Sequence, residues 1–480
     1  MPILLGVDLG TTKITAIALD AADGTLLEVH GKPNTANVTS AEDRQRDRSE
    51  WDPRAISRIG VECLRGIAEA LGERRREVAA IGVTGQQHGV LLTDAAGHPV
   101  TPLINWQDRR GLDRVGEGLG TYLDLAREHI GSESLTRTGC RLHPGFMAVT
   151  LFWMLKNGGL PSGARSALFL MDYFCAELTG GRAVTEPTCA GSAGLLNYRL
   201  RDWDGEAIRA LGLPRSLFPD VVEADRPIGQ LTAALADATG LPAGIPVSAP
   251  LGDHQACFVG SVADRQTTAL VNVGTGAQAA VYVETAEVHP PVEVRPFPLH
   301  GNLQSNVGLA GGWAYQTLEK FFRDVVEQFA PGTTIESLYG RMNDLAAGVP
   351  HGAHGVSSVP TFSGTRSDPT VRGSFQGVSP ANFTAADFSR AVIEGMARSL
   401  SDGFRAAQDL SGRRFKALAA AGNGLRENAL LAGEVEQASG LPLRYTRHRE
   451  EAAFGAALVA GVAAGVFPSL DAAGALVRYE

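Results

Sequence analysis

The sequence predicts an α/β protein made of two domains of one plan, with a ligand-binding cleft between them. The chain has 480 residues, more than a single hydrophobic core usually organises, so two domains are expected. A hairpin pattern at residues 4–19 recurs at residues 270–283. Short apolar strands alternate with segments of helical periodicity along the rest of the chain. We therefore predict one domain at residues 1–250 and the other at residues 251–480.

The first hairpin, residues 4–19, has a tip suited to an anion. An apolar strand runs to Asp8, the turn is Gly10-Thr11-Thr12, and an alternating apolar strand follows. Glycine lets backbone amides approach a ligand, and threonine hydroxyls add donors for phosphate oxygens. A carboxylate at the end of the strand is suited to hydrated Mg²⁺. The alternative is a turn in which these residues only satisfy backbone geometry.

The second hairpin, residues 270–283, repeats this pattern. Gly274 and Thr275 repeat the first glycine and threonine, and Asn272 stands where the first hairpin has its aspartate. Repetition of a phosphate-type turn favours a duplicated domain with a nucleotide between the halves.

Composition describes an ordinary globular chain, with 44% hydrophobic and 20% charged residues. A net charge of −9 argues against a nucleic-acid partner, which requires a basic face. Five scattered cysteines without a C-x-x-C pair indicate reduced thiols and a cytoplasmic protein.

The longest apolar stretch, residues 452–467, is shorter than the roughly 20 residues that span a bilayer, and its many small residues predict a buried helix. We expect no membrane partner, and leave a homodimer open.

Helical periodicity and apolar runs predict the remaining framework. Predicted helices lie at residues 53–71, 231–239, 313–322, 389–410 and 430–438, and buried strands at residues 78–83, 245–249 and 417–421.

Polar and aromatic groups follow two strands of the first half. Gln87 and His88 come after the strand at residues 78–83, and Trp106 and Asp108 follow another apolar segment. Amide, imidazole and carboxylate groups beside a large aromatic ring are suited to a polyhydroxylated carbon chain. Each group alone is also typical of a surface loop.

A glycine turn in the second half predicts a nucleotide contact. The strand at residues 417–421 meets Gly422-Asn423-Gly424 and then a helix, and amides at a helix start bind anions. A dinucleotide-binding dehydrogenase would continue as G-x-G-x-x-G, but the third glycine position holds Glu427. The sequence therefore disfavours a dehydrogenase.

Asp253 is the candidate for chemistry. It follows the strand at residues 245–249 and precedes an apolar helical run. One interpretation is an N-cap that accepts amide hydrogen bonds. The other is a catalytic base whose pKa the helix dipole and amides lower, so that it stays ionised for phosphoryl transfer. The nearby second hairpin favours the base.

Taken in order, these motifs resemble the FGGY carbohydrate kinases, members of the actin-like ATPase superfamily, nearly from end to end. The matching segments are DLGTT at Asp8, GQQHG at Gly85, WQDRR at Trp106, GDHQA at Gly252, VGTGA at Val273, GTRSDPTVRG at Gly364 and GNGLREN at Gly422. The resemblance implies two ribonuclease-H-like domains, with sugar and the first phosphate motif in the first and ATP in the second.

The resemblance also implies MgATP-dependent phosphorylation of a primary hydroxyl of a sugar. Asp253 would be the base and Asp8 the magnesium-side carboxylate, acting through water. The sugar would contact Asp253 together with Gln87, His88, Trp106 and Asp108. ATP would contact Gly10, Thr11, Thr12, Lys13, Gly274, Thr275, Gly276, Gly311, Gly422, Asn423, Gly424 and Asn428.

Substrate choice follows from finer resemblance. The Gln-x-His pattern at Gln86 is similar to ketose kinases, whereas glycerol kinases carry Arg-Glu nearby. HPGFMAVTLFWMLKN at His143, LGDHQ at Leu251 and AAFGAALV at Ala452 are most similar to sedoheptulokinases. Xylulokinase is the near alternative. A non-sugar actin-like ATPase that acts as a conformational switch is the alternative from another class, although it has no use for the sugar-side groups.

Two positions depart from the family pattern. Thr15 stands where the family has Lys or Arg, and Lys13, on the same face of the strand, is a possible substitute. Thr365 stands where the signature has glutamate, beside Arg366.

Overall fold

The computed structural model describes residues 2–480 except Glu117, Leu119, Ile335, Ser363, Arg366, Ser367 and Pro369. Its strands are β1 Ile3–Leu9, β2 Lys13–Asp20, β3 Leu26–Pro33, β4 Glu50–Trp51, β5 Val78–Gly85, β6 Leu91–Thr93, β7 Leu103–Ile104, β8 Ser166–Leu168, β9 Val184–Thr185, β10 Leu196–Asn197, β11 Asp202–Trp203, β12 Asp220–Val221, β13 Pro227–Gln230, β14 Pro246–Ser248, β15 Leu251–Gly252, β16 Thr268–Val273, β17 Ala277–Val283, β18 Glu293–Pro296, β19 Asn302–Leu309, β20 Ser357–Val359, β21 Ser374–Gln376, β22 Ala417–Ala421 and β23 Leu443–Tyr445.

The α-helices complete this framework. They are α1 Ala41–Gln45, α2 Pro53–Leu71, α3 Tyr122–Ile130, α4 Glu133–Thr138, α5 Met147–Lys156, α6 Leu170–Thr179, α7 Pro187–Ala190, α8 Gly205–Ala210, α9 Ala233–Thr239, α10 Asp253–Ser261, α11 Gly312–Phe329, α12 Tyr339–Ala347, α13 Ala385–Ser411, α14 Asn423–Glu427, α15 Ala429–Ser439, α16 Glu451–Ala463 and α17 Leu470–Gly474. Among the described residues, no helix combines the length and apolarity that a membrane crossing needs.

Two mixed sheets dominate the structure. The first has the order β13-β14-β5-β1-β2-β3, with β15 also paired to β5. The second has the order β18-β19-β17-β16-β22-β23. In both sheets an antiparallel hairpin, β1–β2 or β16–β17, is joined on its first strand by a parallel neighbour, β5 or β22. The predicted duplicated α/β architecture is confirmed.

Helices α10 and α16 lie between the sheets and form a shared core with both of them. Glycine makes this close approach possible. A Cβ on Gly455 would lie 1.9 Å from the carbonyl oxygen of Ala256, and a Cβ on Gly6 would lie 1.9 Å from that of Ala453. The apolar segment predicted as a buried helix is α16, as expected. Because α10 is wedged here, its first residue is held beside the end of β1.

The predicted helix at residues 53–71 is observed with the same bounds as α2. Asp52 accepts a hydrogen bond from the Arg54 amide at 2.9 Å, Pro53 occupies the first turn, and Gly72 follows the last residue. These start and stop signals are local, which is why the sequence predicts them well. The domain boundary at residue 250 stays a prediction.

Candidate active site

Two aspartates meet at the base of the cleft between the halves. Asp8 is the second-to-last residue of β1. Asp253 is the first residue of α10, and Gly252 is the N-cap of this helix. Both line a cavity of about 220 Å³, together with Asn272 and Glu450. The Asp8 Oδ1 atom is buried and has no hydrogen-bond partner among the described residues.

Burial makes both carboxylates difficult to ionise. Burial, together with the negative charges of Asp253 and Glu450, raises the pKa of Asp8 to about 7, although the positive charge of Lys13 acts in the opposite direction. Burial also raises the pKa of Asp253 to about 6, against hydrogen bonds from the amides of His254 and Gln87. The expectation that the helix start lowers the Asp253 pKa is therefore wrong, because desolvation outweighs the amide contacts.

A second cavity, of about 320 Å³, continues from Asp253 toward the predicted sugar-side groups. Gln87, His88 and Trp106 line it, and so does the tip of the second hairpin. Asp253 also lines this cavity, so one carboxylate borders both spaces. A cavity of this size with few convergent polar groups is typical of a small-molecule site.

Hydrogen bonds fix the orientation of His88. Its ring stacks on Phe146 with centroids 4.2 Å apart, and Nδ1 lies 2.8 Å from the Ser192 carbonyl oxygen. A carbonyl only accepts, so Nδ1 carries the proton and Nε2 is the acceptor in the neutral ring. The backbone of His88 has φ 64°, a sparsely populated conformation that typically marks a constrained functional position.

Neighbouring groups hold Gln87 and Trp106 in place. Gln87 Nε2 donates to the Thr188 carbonyl at 2.9 Å and to Gln255 Oε1 at 3.0 Å. Trp106 Nε1 donates to the Thr11 hydroxyl at 3.0 Å. The first phosphate-type tip is therefore linked directly to the wall of the sugar-side cavity.

Asp108 does not belong to this cavity. It is fully buried and accepts hydrogen bonds from the Ser49 amide at 2.9 Å and from Arg110 Nε at 2.8 Å. Arg110 bonds Glu50 as well. The structure thus corrects the expectation that Asp108 contacts sugar: its oxygens are used by a buried ion pair that joins chain segments.

The second hairpin tip packs against the start of α11. Gly274, Thr275 and Gly276 are exposed at the tip. The Gly312 amide donates to the Gly274 carbonyl at 2.9 Å. A Cβ on Gly311 would lie 2.3 Å from the carbonyl carbon of Gly276. Only glycine permits this close contact between Gly311 and the tip of the second hairpin.

Models of one protein family match nearly the whole chain. The N-terminal domain of the FGGY family of carbohydrate kinases matches residues 3–260, and the C-terminal domain of that family matches residues 267–464. The chain belongs to the FGGY family of carbohydrate kinases.

Relatives of this FGGY kinase agree over its full length. It is 31% identical to a glycerol kinase from Thermus brockianus, covering 100% of this chain and 93% of the relative, and 27% identical to an L-fuculokinase from Salmonella typhi, covering 100% and 96%. The crystal structure of a xylulose kinase from Rhodospirillum rubrum superposes with a TM-score of 0.84 at 25% identity, covering 100% of this chain and 93% of that one.

These comparisons establish a phosphotransferase with the two-domain fold of the FGGY carbohydrate kinases, a family that acts on small-molecule sugars. The relatives are named for different substrates, so membership alone does not single out the sugar. The comparisons do not show specificity for sedoheptulose.

The residues predicted to contact adenosine follow the end of β22. Gly422 has φ 82°, and a Cβ there would lie 2.5 Å from Asn272 Oδ1. Asn423 and Gly424 begin α14. Asn428 caps α15 and donates through Nδ2 to Asn343 at 3.1 Å. These residues border the second hairpin, and their contact with ATP stays a prediction.

The two positions that depart from the family pattern, Thr15 and Thr365, have different surroundings in the structure. Lys13 Nζ lies 2.9 Å from Glu450 Oε1 and its side chain is 50% exposed, whereas Thr15 is buried. Lys13 thus reaches the rim of the Asp8 cavity, and its substitution for the missing cation stays a prediction. Thr365 bonds the Asp368 carbonyl through its amide at 2.8 Å, and Arg366 lies outside the described residues.

Sequence reasoning missed three groups at these cavities. Arg295 and Gln278 line the sugar-side cavity, and Glu450 lines the Asp8 cavity. Arg295 lies in β18, a short buried strand without a recognisable motif. Glu450 immediately precedes α16. The pair Glu450-Glu451 at the start of this apolar helix is the sequence signal that could have identified it.

A neighbouring cavity of about 350 Å³ shares Val307 and Gly308 with the sugar-side cavity. Its walls are mostly apolar, with Trp313 and Leu309 among them, and it contains neither aspartate. This cavity is therefore distinct from the two smaller cavities that Asp253 lines.

Proposed function

We propose that this kinase transfers the terminal phosphoryl group of MgATP to a primary hydroxyl of a ketose, with Asp253 as general base. The observation that carries the proposal is the position of Asp253 at the boundary of both cavities. A hydroxyl held by the sugar-side groups would lie on one side of this carboxylate, close to the tip of the second hairpin, and Asp8 lies on the other side.

Asp253 acts in its ionised form. A pKa raised to about 6 leaves it mostly ionised at neutral pH, yet basic enough to take a proton from the attacking hydroxyl as the phosphoryl bond forms. Because the transition state of phosphoryl transfer is loose, the carboxylate mainly orients the hydroxyl and accepts its proton late.

The residues around Asp8 fit a magnesium ion. A buried carboxylate oxygen without a partner, beside a second carboxylate, is the donor chemistry that Mg²⁺ prefers. When bound, the ion neutralises charge on the phosphate oxygens. Asp8 would hold the ion, and the hairpin tips at Gly10–Thr12 and Gly274–Gly276 would receive the phosphates. Closure of the halves would exclude the water that hydrolyses ATP.

Among ketoses we propose sedoheptulose first, on the resemblance of the segments at His143, Leu251 and Ala452. Xylulose is the alternative, supported by the likeness to xylulose kinase structures. His88 Nε2 and the Gln87 side chain offer hydrogen bonds along a polyhydroxylated chain.

A coupled ADP-release assay across sedoheptulose, xylulose, ribulose and glycerol tests this function. We expect ketose-dependent turnover, with glycerol the poorest substrate. His88→Ala should raise KM for the ketose at least tenfold, and the exposed His98→Ala is the matched control. Turnover that needs no sugar and is unchanged by His88→Ala would instead identify a conformational-switch ATPase.

A further inference from the structure

Arg295 brings a cation from the second half into the sugar-side cavity. It lies in β18 and lines this cavity with His88 and Trp106. Its side chain is only 6% exposed. Burying a charged group is costly unless its hydrogen bonds are satisfied, so the position of this guanidinium calls for an explanation.

Three contacts fix its orientation. Nε and Nη2 donate to Glu293 Oε2 at 3.1 and 2.6 Å, and Nη1 donates across the cleft to the Gly191 carbonyl at 3.1 Å. The guanidinium carbon lies 5.6 Å from the centre of the Phe146 ring, on which His88 also stacks. Arg295 and His88 therefore share one aromatic support.

These bonds leave part of the guanidinium for a ligand. Arginine has five N–H donors in a planar fork, and the contacts to described residues use three of them. One N–H remains on each of Nη1 and Nη2. Glu293 lines the neighbouring apolar cavity instead of the sugar-side cavity, so it supports the arginine without competing for substrate.

A guanidinium fork matches two coplanar acceptor oxygens. The hydroxyketone end of an open-chain ketose offers such a pair, the carbonyl oxygen and the adjacent hydroxyl oxygen. An alditol has no planar carbonyl carbon to hold two oxygens in this arrangement.

We propose that Arg295 is a specificity-determining residue that binds the hydroxyketone end of the ketose, while Asp253 faces the primary hydroxyl at the other end. This inference rests on the proposed kinase function. Arg295 thereby selects a ketose over the alditol that its reduction would produce.

The test compares kcat and KM for a ketose and its alditol, xylulose and xylitol, in wild type and in Arg295→Lys and Arg295→Met. We expect kcat/KM for xylulose to fall at least thirtyfold, mainly through KM, and that for xylitol to change less than threefold. Arg201→Lys is the matched control. Like Arg295, Arg201 donates to a carboxylate, that of Glu223, and to a backbone carbonyl, that of Phe297, but it lines a different cavity.

Equal losses on both substrates would overturn the inference and make Arg295 structural. A larger loss on gluconate than on xylulose would assign the fork to a carboxylate and overturn it as well. If the Arg295 variants do not fold, Glu293→Gln serves, because it loosens the fork and should raise KM for xylulose about fivefold but not for xylitol. Wild type without any ketose-dependent turnover would refute the kinase proposal itself, whereas normal ketose turnover with an unchanged ratio would refute only this role.

Discussion

The two hairpins of this kinase have the same architecture and different chemistry. In β1–β2, Asp8 pairs with Thr15, and in β16–β17, Asn272 pairs with Gln278. Both positions line the same cavity, but only the first carries a charge. The two hairpins thus have similar backbones, and the replacement of a carboxylate by an amide makes the first hairpin the better suited to a cation.

The tips differ in what supports them. The Thr11 hydroxyl accepts from Trp106 and donates to Gln86, so the first tip belongs to the wall of the sugar-side cavity. The carbonyls of Gly274 and Thr275 accept from the first amides of α11. The first tip is therefore linked to the wall of the sugar-side cavity, and the second tip is linked to the start of α11.

The largest expected effect is at Asp253, which lies between the hairpins. Asp253→Asn should lower kcat by roughly 10³-fold, because the amide does not accept the hydroxyl proton. The melting temperature should stay the same or rise, since a buried charge is removed. Steady-state kinetics and thermal melting measure both, and a large loss of stability with a modest loss of turnover would favour a structural role for Asp253.

Asp8→Asn makes the two hairpins alike and should lower kcat/KM about 10²-fold while raising the Mg²⁺ concentration at half-maximal activity. Asn272→Asp is the reciprocal variant. The new carboxylate should weaken ATP binding by repelling the phosphates, without changing the Mg²⁺ concentration at half-maximal activity. Titration of activity with Mg²⁺ distinguishes them. An unchanged Mg²⁺ requirement in Asp8→Asn would contradict the assignment of the metal side.

The charge difference also predicts a pH dependence of stability. The pKa of Asp8 is raised to about 7 and that of Asp253 to about 6, above the ordinary value of both. Their contribution to stability is complete below about pH 4 and is lost as the pH rises through 6 to 7. The melting temperature of the metal-free protein should therefore fall by a few degrees between pH 5 and 8.

Asp8→Asn should flatten this profile, and Mg²⁺ should restore part of the loss at pH 8. Asn272→Ala, at the neutral counterpart, should leave the slope unchanged. A melting temperature that rises across this range would show that other groups dominate.

The smallest effect is expected at Lys13. Its exposed pair with Glu450 contributes little to stability. Lys13→Met should raise KM for ATP a few-fold with kcat nearly unchanged, and Lys13→Arg should restore it. A loss above fiftyfold would instead show that Lys13 takes over the role of the cation missing at Thr15.

Local signals predicted most of the framework. Both hairpins, α2 and the strand β22 were predicted because alternation, periodicity, caps and glycine turns act over a few neighbouring residues. The resemblance likewise identified the family, since its motifs are short and keep their order.

Contacts distant in sequence escaped prediction. Asp108 looked available at a strand end, but tertiary packing uses its oxygens for Arg110 and the Ser49 amide. Arg295 lies in no recognisable motif. Only the tertiary structure places its guanidinium beside the Gly191 carbonyl and the Phe146 ring.

The sequence by itself determined the duplicated α/β plan, the family, and the difference between Asp8 and Asn272, since each is written in local pattern or residue identity. Only the tertiary structure decided that Asp253 borders both cavities and that its pKa is raised. The physical reason is desolvation: how much water a carboxylate loses depends on the two sheets and α16 closing around it, which no neighbouring residue in the chain reports.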